Sequence, residues 1–161
     1  MSSGLKNLAR NVVIDIRPMD ETDLAAVLVV DAAGSSPPWS AAQLRSELAN
    51  PVASMDLALI GGAVAGYLCA WLVAGELEIH NLVTAPACRR RGVAWHLLDH
   101  RLRMARQQGL ERVLLEVRVG NIAAITLYRA YGFVDCGVRR GYYSDGEDAL
   151  LMEMTVGPLN R

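Results

Sequence analysis

Three strand-like segments separated by tight turns lie between residues 55 and 84, and they constrain the fold more than any other stretch of the chain. The segments are MDLALI, AVAGYLCAWLV and ELEIHNLVT, and the turns between them contain Gly61-Gly62 and Ala74-Gly75. Connections this short, with glycine in them, join neighbouring antiparallel strands. The chain is therefore predicted to contain an antiparallel meander around which the rest of the fold is built.

The segments on either side of the meander alternate between strand and helix patterns. Residues 12–18 have a strand pattern, residues 20–34 a helix pattern, and Ser40 is a candidate N-cap for a second helix that Asn50 and Pro51 close. After Pro86, a long amphipathic helix, a strand, a helix starting near Asn121 and two last strands are predicted. Because helices cross between strands only in the second half, the pattern predicts an α+β sheet rather than a doubly wound one.

One domain accounts for the chain, because 161 residues can build one core but not two. The predicted limits are a flexible N-terminal tail at residues 1–11, the domain at 12–156 and a C-terminal tail at 157–161. The 16 basic and 17 acidic residues nearly cancel, so no overall charge favours nucleic acid or membrane binding. Three cysteines without a CxxC pair, and no signal core or membrane-spanning apolar run, indicate a reduced, cytoplasmic protein.

The segment RRRGVA, residues 89–94, lies between the end of a predicted strand and the start of the long helix. A helix N-terminus presents unpaired N–H groups and a partial positive charge, and glycine allows an anion to approach the backbone. The spacing matches neither a Walker A loop nor a GxGxxG loop. Taken alone, arginines before a helix are more often solvated than functional, so the segment is only a candidate anion site.

Glu116, Arg118, Asn121 and Tyr128 place polar groups in a run that otherwise has the pattern of a buried strand and helix. Each has an ordinary structural explanation, since a strand glutamate often pairs across strands and a helix tyrosine usually lies in the core. Their occurrence together with the arginine loop favours a functional site. Arg118 is equally compatible with a structural role and with orienting a substrate.

The pattern Arg89-x-x-Gly92-x-Ala94 resembles the Q/R-x-x-G-x-G/A loop of the GNAT superfamily of acetyltransferases, and the likeness extends over most of the chain. HNLVTAP resembles the splayed fourth strand of that family, LLEVRVGN the fifth strand, and AITLYRAYGF the helix that carries a tyrosine. PPWS and RRGYYSDGEDALLMEM resemble the RimI-type and related protein N-terminal acetyltransferases. Ala85 and Ala94 depart from the residues more frequent in the family, and neither departure touches the chemistry.

The resemblance implies a GNAT fold, with a mixed and mostly antiparallel sheet of about seven strands flanked by about four helices. It also implies acetyl-CoA as the cosubstrate, with no metal. In the family, amides of the arginine loop bind the pyrophosphate of coenzyme A, and a backbone N–H of the fourth strand stabilises the oxyanion. The cofactor-binding residues implied here are Leu82, Val83, Thr84, Arg89, Arg90, Arg91, Gly92, Val93, Ala94, Trp95, Asn121 and Tyr128.

The same resemblance assigns catalytic and substrate-binding roles. Acetyl transfer from a thioester to an amine requires a neutral nucleophile, a donor to the oxyanion and a proton for the departing thiolate. Glu116 is the implied general base, acting through water, and Tyr128 is the implied general acid. Trp39, Tyr142 and Tyr143 are the implied substrate contacts, and the two adjacent tyrosines would close over the first residues of a peptide.

The acceptor implied by this resemblance is a protein N-terminus, specifically the N-terminal alanine of a small-subunit ribosomal protein. An α-amine, with a pKa near 8, is also easier to deprotonate than a lysine side chain near 10.4. Acetylation of a small-molecule amine, either a polyamine or an antibiotic, is the first alternative, and an acyl-CoA-binding module without catalysis is the second. A weak complex with other proteins is compatible with the sequence.

The three histidines of the chain are His80, His96 and His100. His96 and His100 are four residues apart on a predicted helix, a spacing that can bind zinc, but no HExxH motif and no third ligand accompanies them. No metal site is therefore predicted. His80 lies on the strand that faces the site, where it can be a core residue or a proton relay to bulk water, and the core role is the more frequent.

Overall fold

The computed structural model describes residues 12–35 and 37–157, which form a seven-stranded sheet flanked by four α-helices. The strands are β1 (Asp15–Pro18), β2 (Ala53–Ile60), β3 (Ala63–Val73), β4 (Glu76–Thr84), β5 (Arg112–Arg118), β6 (Val134–Arg139) and β7 (Ala149–Thr155). The helices are α1 (Leu24–Gly34), α2 (Ala41–Ala49), α3 (Val93–Arg106) and α4 (Ile122–Tyr131). The predicted α+β fold with a mixed, mostly antiparallel sheet is confirmed.

The strand order in the sheet is β1-β2-β3-β4-β5-β7-β6. Every neighbouring pair is antiparallel except β4 and β5, which run parallel and are joined through α3. The β2–β3 and β3–β4 connections are the predicted tight turns, and all four of their central residues have positive φ: Gly61, Gly62, Ala74 and Gly75. Turns of this kind match the twist of the strands that they join.

The first strand is shorter than the sequence pattern predicts. The alternation of apolar residues predicts a strand from Val12, whereas β1 begins at Asp15, opposite Leu59 of β2. Because β2 ends at Ile60 and then turns, a strand reaching back to Val12 would have no neighbour to pair with. The predicted N-terminal tail, and residues 158–161 of the predicted C-terminal tail, lie outside the described residues.

The helices cover the two faces of the sheet unequally. α1 and α2 pack against one face of β2, β3 and β4, while α3 and α4 pack against the opposite face. Ser40 is the N-cap of α2, as predicted, and it exchanges hydrogen bonds with Gln43 in a capping box. Among the described residues, no helix is both long enough and apolar enough to cross a membrane.

Pairing between β4 and β5 stops halfway along β4. The parallel ladder covers only Glu76–Ile79 of β4. At that point His80 is an extra residue in the β3–β4 ladder, because Cys69 lies opposite Asn81 while Ala70 lies opposite Ile79. A bulge bends the strand that carries it. The second half of β4 therefore diverges from β5 and leaves an opening in the middle of the sheet.

Candidate active site

Two clefts meet at the opening between β4 and β5. The first cleft, of about 630 Å³, is lined by the second half of β4, the loop before α3, the first turn of α3 and the start of α4. The second cleft, of about 460 Å³, is lined by the segment between α1 and α2, by β4 and β5, and by the loop between β6 and β7. Both clefts are lined by Gly34, Leu82, Val83, Asn121, Ala124 and Tyr128. Groups bound in the two clefts can therefore approach each other at this junction.

The loop before α3 offers backbone N–H groups to the first cleft. Arg90 and Gly92 have positive φ (64° and 82°), and Gly92 is the N-cap of α3. The first hydrogen bond of the helix runs from the His96 N–H to the Gly92 carbonyl (3.0 Å), so the N–H groups of the three residues between them precede it. A phosphate at this point would accept from several amides at the positive end of the helix dipole.

The predicted cofactor-binding residues lie together, with one exception. All of them except Arg91 line the first cleft, and Arg91 is an exposed residue of the same loop. Among residues 12–35 and 37–157, none of the ion pairs involves Arg89, Arg90 or Arg91. No carboxylate of the described chain neutralises these three arginines. Their positive charge therefore adds to the attraction of this loop for an anion.

The main chain of β4 directs two further N–H groups into the opening. The Ala85 N–H donates to the Ala65 carbonyl (2.8 Å), and this bond fixes the alternation of the β3–β4 ladder. Successive pairs of an antiparallel ladder alternate between bonded and non-bonded, so Val83 bonds to β3 while Leu82 and Thr84 point their N–H groups the other way. Pairing with β5 has already ended there, so these two N–H groups face the clefts.

Tyr128 lies on α4 where the two clefts meet. Its side chain is 6% exposed, and its ring centroid is 5.6 Å from that of Phe133. Within the described part of the chain, its hydroxyl makes no hydrogen bond to another residue. Burial raises the pKa of Tyr128, and nearby Tyr143 raises it further. The phenol therefore keeps its proton at neutral pH and is available as a donor to a bound molecule.

Glu116 lies on β5 and lines the second cleft together with Tyr128. Its side chain is 30% exposed and is 3.5 Å from the guanidinium of Arg139. The nearby Tyr142 hydroxyl interacts with this carboxylate, which together with burial raises the pKa of Tyr142. A carboxylate held in this way can take a proton from an amine, either directly or through water.

Arg118, at the end of β5, holds the loop between β6 and β7 against that strand. It donates to Asp145 (2.8 Å) and Glu147 (3.0 Å), and its guanidinium stacks 4.0 Å from the centroid of the Tyr143 ring. Tyr143 lines the second cleft, whereas Tyr142, edge-on to it at 5.1 Å, lines a neighbouring cleft of about 700 Å³. Of the two roles considered for Arg118, holding this loop is therefore the one with direct support.

Of the remaining residues singled out in the sequence, some line the second cleft and others make structural contacts. Trp39 lines the second cleft from the segment before α2. His80 is not a core residue, because its side chain is 31% exposed and its ring packs on Trp71 at 4.4 Å. His96 Nδ1 lies 2.7 Å from the carbonyl of Gly92. No group of three or more metal-ligating side chains is found in the part of the chain that the structure describes.

A buried polar cluster behind the second cleft is absent from the sequence predictions. Asp31 on α1 accepts hydrogen bonds from the Tyr67 hydroxyl (2.7 Å) and from Asn81 Nδ2 (3.2 Å). The available signal is a lone carboxylate in the apolar helix pattern LAAVLVVDAAG. The sequence around Asp31 does not indicate that Tyr67 and Asn81 are its partners, because they are 36 and 50 residues away.

Comparison with known proteins agrees with this geometry. Residues 24–133 match the model of the acetyltransferase (GNAT) family. The chain belongs to the GNAT family. The ribosomal protein bS18-alanine N-acetyltransferase of Escherichia coli is 31% identical to this GNAT acetyltransferase over 144 residues, which cover 88% of this chain and 97% of that protein. The N-alpha-acetyltransferase RimI of Mycobacterium tuberculosis is 38% identical over 125 residues, or 74% of this chain and 77% of that protein.

Solved structures support the same assignment. The crystal structure of a ribosomal-protein-alanine N-acetyltransferase from Escherichia coli superposes with a TM-score of 0.83 at 28% identity, over 92% of this chain and 99% of that chain. GNAT acetyltransferases take their acetyl group from acetyl-CoA. The first cleft fits such a donor, because it has helix N–H groups for phosphates at one end and free strand N–H groups for amides and a thioester at the other.

Proposed function

We propose that this GNAT acetyltransferase transfers the acetyl group of acetyl-CoA to the N-terminal α-amine of a protein. The observation that carries the proposal is the junction of the two clefts. There, Tyr128 and Leu82 line both clefts, while Thr84 lines the first cleft and Glu116 the second. An acid, oxyanion donors and a base are what aminolysis of a thioester requires.

The first cleft is the proposed site for acetyl-CoA, which supplies a thioester for attack by the amine. The amides at the start of α3 hold the pyrophosphate, and Arg89 and Arg90 add positive charge. The side-chain oxygen of Asn121 caps α4 by accepting a hydrogen bond from the Ala124 N–H (3.2 Å). The side-chain NH₂ group of Asn121 then donates to the cofactor. The N–H groups of β4 donate to the carbonyl oxygen of the thioester as negative charge develops on it.

Glu116 is the general base in this proposal. The amine attacks only when neutral, and with a pKa near 8 about a tenth of an α-amine is already neutral at pH 7. Glu116 removes the proton from the remainder through a bridging water. Arg139 of β6, whose guanidinium is 3.5 Å away, is the cation next to this carboxylate.

Tyr128 is the general acid. Its hydroxyl remains protonated at neutral pH because burial raises its pKa. The same apolar surroundings disfavour a free thiolate, so the phenol proton passes to the sulfur as the C–S bond breaks. The products are an acetylated α-amine and the free thiol of coenzyme A.

The acceptor is assigned from the second cleft and from the relatives. Trp39 and Tyr143 line the second cleft from the α1–α2 segment and from the β6–β7 loop, and an extended peptide with a small first side chain suits such a slot. The Escherichia coli relative is named for alanine of ribosomal protein bS18. We extend this acceptor, the N-terminal alanine of a small-subunit ribosomal protein, to the present chain. The reaction then belongs in the cytoplasm, where ribosomal proteins are synthesised.

A peptide that starts with alanine and also contains a lysine tests the proposal. With its N-terminus free, it is expected to release the thiol of coenzyme A and to carry one acetyl group on the α-amine. The matched control is the same peptide with a blocked N-terminus, which is expected to remain unlabelled. Mass spectrometry locates the acetyl group, and acetylated N-termini compared in cells with and without the gene identify the natural protein.

Three outcomes would contradict this function. Acetylated lysine in both peptides would make the protein a side-chain acetyltransferase. Spermidine outcompeting the free peptide would indicate a small-molecule amine. Binding of acetyl-CoA without turnover of any amine would indicate a non-catalytic module.

A further inference from the structure

A buried carboxylate lies behind the second cleft, on the last turn of α1. Asp31 is completely buried, and four donors converge on it. Oδ1 accepts from the Tyr67 hydroxyl (2.7 Å), the Ser35 hydroxyl (2.9 Å) and Asn81 Nδ2 (3.2 Å), while Oδ2 accepts from the Trp39 backbone N–H (2.6 Å). A buried charge is costly unless it is bonded in this way, so the cluster has to be satisfied as a unit.

The donors come from three separate parts of the fold. Ser35 and Trp39 belong to the segment between α1 and α2, Tyr67 to β3, and Asn81 to β4 immediately after the bulge. Ser35, Trp39 and Asn81 all line the second cleft. Asp31 thus links two walls of the second cleft. One wall is the segment between α1 and α2, and the other is β4, which lines both clefts.

Other contacts hold β4 in place more firmly than they hold the segment between α1 and α2. Asn81 is paired through its main chain with Cys69 of β3. The Trp39 backbone N–H, by contrast, lies before α2 begins and uses Asp31 as its acceptor. Loss of the carboxylate is therefore expected to release the α1–α2 segment and to leave β4, and with it the first cleft, in place.

The hydrogen-bond pattern requires a carboxylate rather than an amide. The Trp39 N–H is a backbone donor to Oδ2, while Asn81 Nδ2 donates both to Oδ1 and to the Tyr67 hydroxyl. An ionised carboxylate only accepts, whereas an asparagine side chain has one accepting and one donating end. Asparagine at position 31 would keep the Trp39 bond only with its own NH₂ group in the Oδ1 position, where it would face the Asn81 NH₂ group as the structure has it.

We infer that Asp31 is a positioning residue for the acceptor: it holds the Trp39 segment against β4 and so sets the affinity for the acceptor peptide, without contacting the reacting groups. This inference rests on the proposed function, because it identifies the second cleft as the peptide site. It predicts an effect on peptide KM that is separate from cofactor binding and from the chemical step.

Steady-state kinetics of Asp31→Asn with an Ala-starting peptide tests the inference. Peptide KM is expected to rise at least about tenfold, with kcat within about threefold of wild type and the acetyl-CoA Kd within about twofold. Asp23→Asn is the matched control, because Asp23 is a buried carboxylate at the other end of α1, bonded to Arg17 (2.7 and 2.8 Å). It is expected to lower the melting temperature and to leave peptide KM unchanged.

The inference fails if Asp31→Asn and Asp23→Asn raise peptide KM equally, or if Asp31→Asn is folded with wild-type KM. If Asp31→Asn does not fold, Tyr67→Phe decides, because it removes one donor and keeps the carboxylate. Its peptide KM is then expected to rise by about threefold with an unchanged acetyl-CoA Kd, and wild-type KM would refute the inference. Wild-type protein that does not turn over the peptide would refute the proposed function instead.

Discussion

Replacement of Gly92 by valine is expected to weaken acetyl-CoA binding by about 10- to 100-fold while the fold stays intact. Gly92 has φ of 82°, where a residue with a Cβ is strained by about 1–2 kcal/mol and a β-branched residue by more. An added Cβ would also lie 3.3 Å from Nδ1 of His96. Because the loop is exposed, it can relieve this strain by moving, and its amides then no longer converge on one anion.

The size of the expected effect follows from those amides. A hydrogen bond from a backbone N–H to a charged phosphate is worth about 1.5–3 kcal/mol. Loss of one such bond corresponds to about 10- to 100-fold in Kd, since 1.4 kcal/mol is a factor of about ten. Isothermal titration with acetyl-CoA measures the Kd, and thermal melting shows whether the variant is folded.

Gly62→Val is the matched control for this experiment. Gly62 has φ of 81°, and a Cβ added there would meet no described atom within 4 Å. It lies in the β2–β3 turn and lines neither cleft, so the same strain should lower stability without changing the Kd. A folded Gly92→Val protein with wild-type affinity would refute the phosphate-binding role of the loop, as would equal losses of affinity in the two variants.

Four further substitutions address the chemistry and the acceptor. Glu116→Gln is expected to lower turnover most at low pH, where fewer amines are neutral, and a pH–rate profile with the same deficit at every pH would contradict its role as base. Tyr128→Phe is expected to lower kcat by about 10²-fold with little change in acetyl-CoA Kd. Tyr131→Phe, on the same helix, is its control, and full activity of Tyr128→Phe would make that ring purely structural. Tyr143→Ala is expected to raise peptide KM at least about tenfold, or about 1.4 kcal/mol, in steady-state assays at saturating acetyl-CoA, and Tyr142→Ala to raise it less, because Tyr142 lines the neighbouring cleft; an unchanged KM in Tyr143→Ala would remove the loop from the acceptor site.

The hairpins and helix ends were predictable because they depend on local chemistry. Two residues with positive φ are enough to specify each tight turn, and the Ser40 cap needs only Gln43, three residues later. The arginine loop is local in the same sense, since a glycine before an amphipathic helix makes a candidate anion site. The other predicted residues of the first cleft followed from the family resemblance rather than from local chemistry.

Features that depend on distant partners were not predictable from the same residues. The bulge at His80 exists only in the register between β3 and β4, so the splay of this strand was predicted from the family resemblance of HNLVTAP and not from local chemistry. Arg118 is a strand residue whose acidic partners lie 27 and 29 residues later, so the sequence left its role undecided. The partners of Asp31 were harder still to predict, because they lie between 4 and 50 residues later in the sequence, in three separate segments.

The early end of the β4–β5 ladder also affects how the protein responds to its cosubstrate. Only four residue pairs join β4 to β5, so the two halves of the sheet meet along a short seam. A molecule that bonds to the free N–H groups of β4 beyond that seam has no equivalent site in the unfolded chain, so its binding stabilises the folded state. At a ligand concentration of 100 times Kd, such binding adds about 2.7 kcal/mol to the free energy of unfolding. If acetyl-CoA binds there as proposed, the melting temperature of the protein is expected to rise with acetyl-CoA concentration.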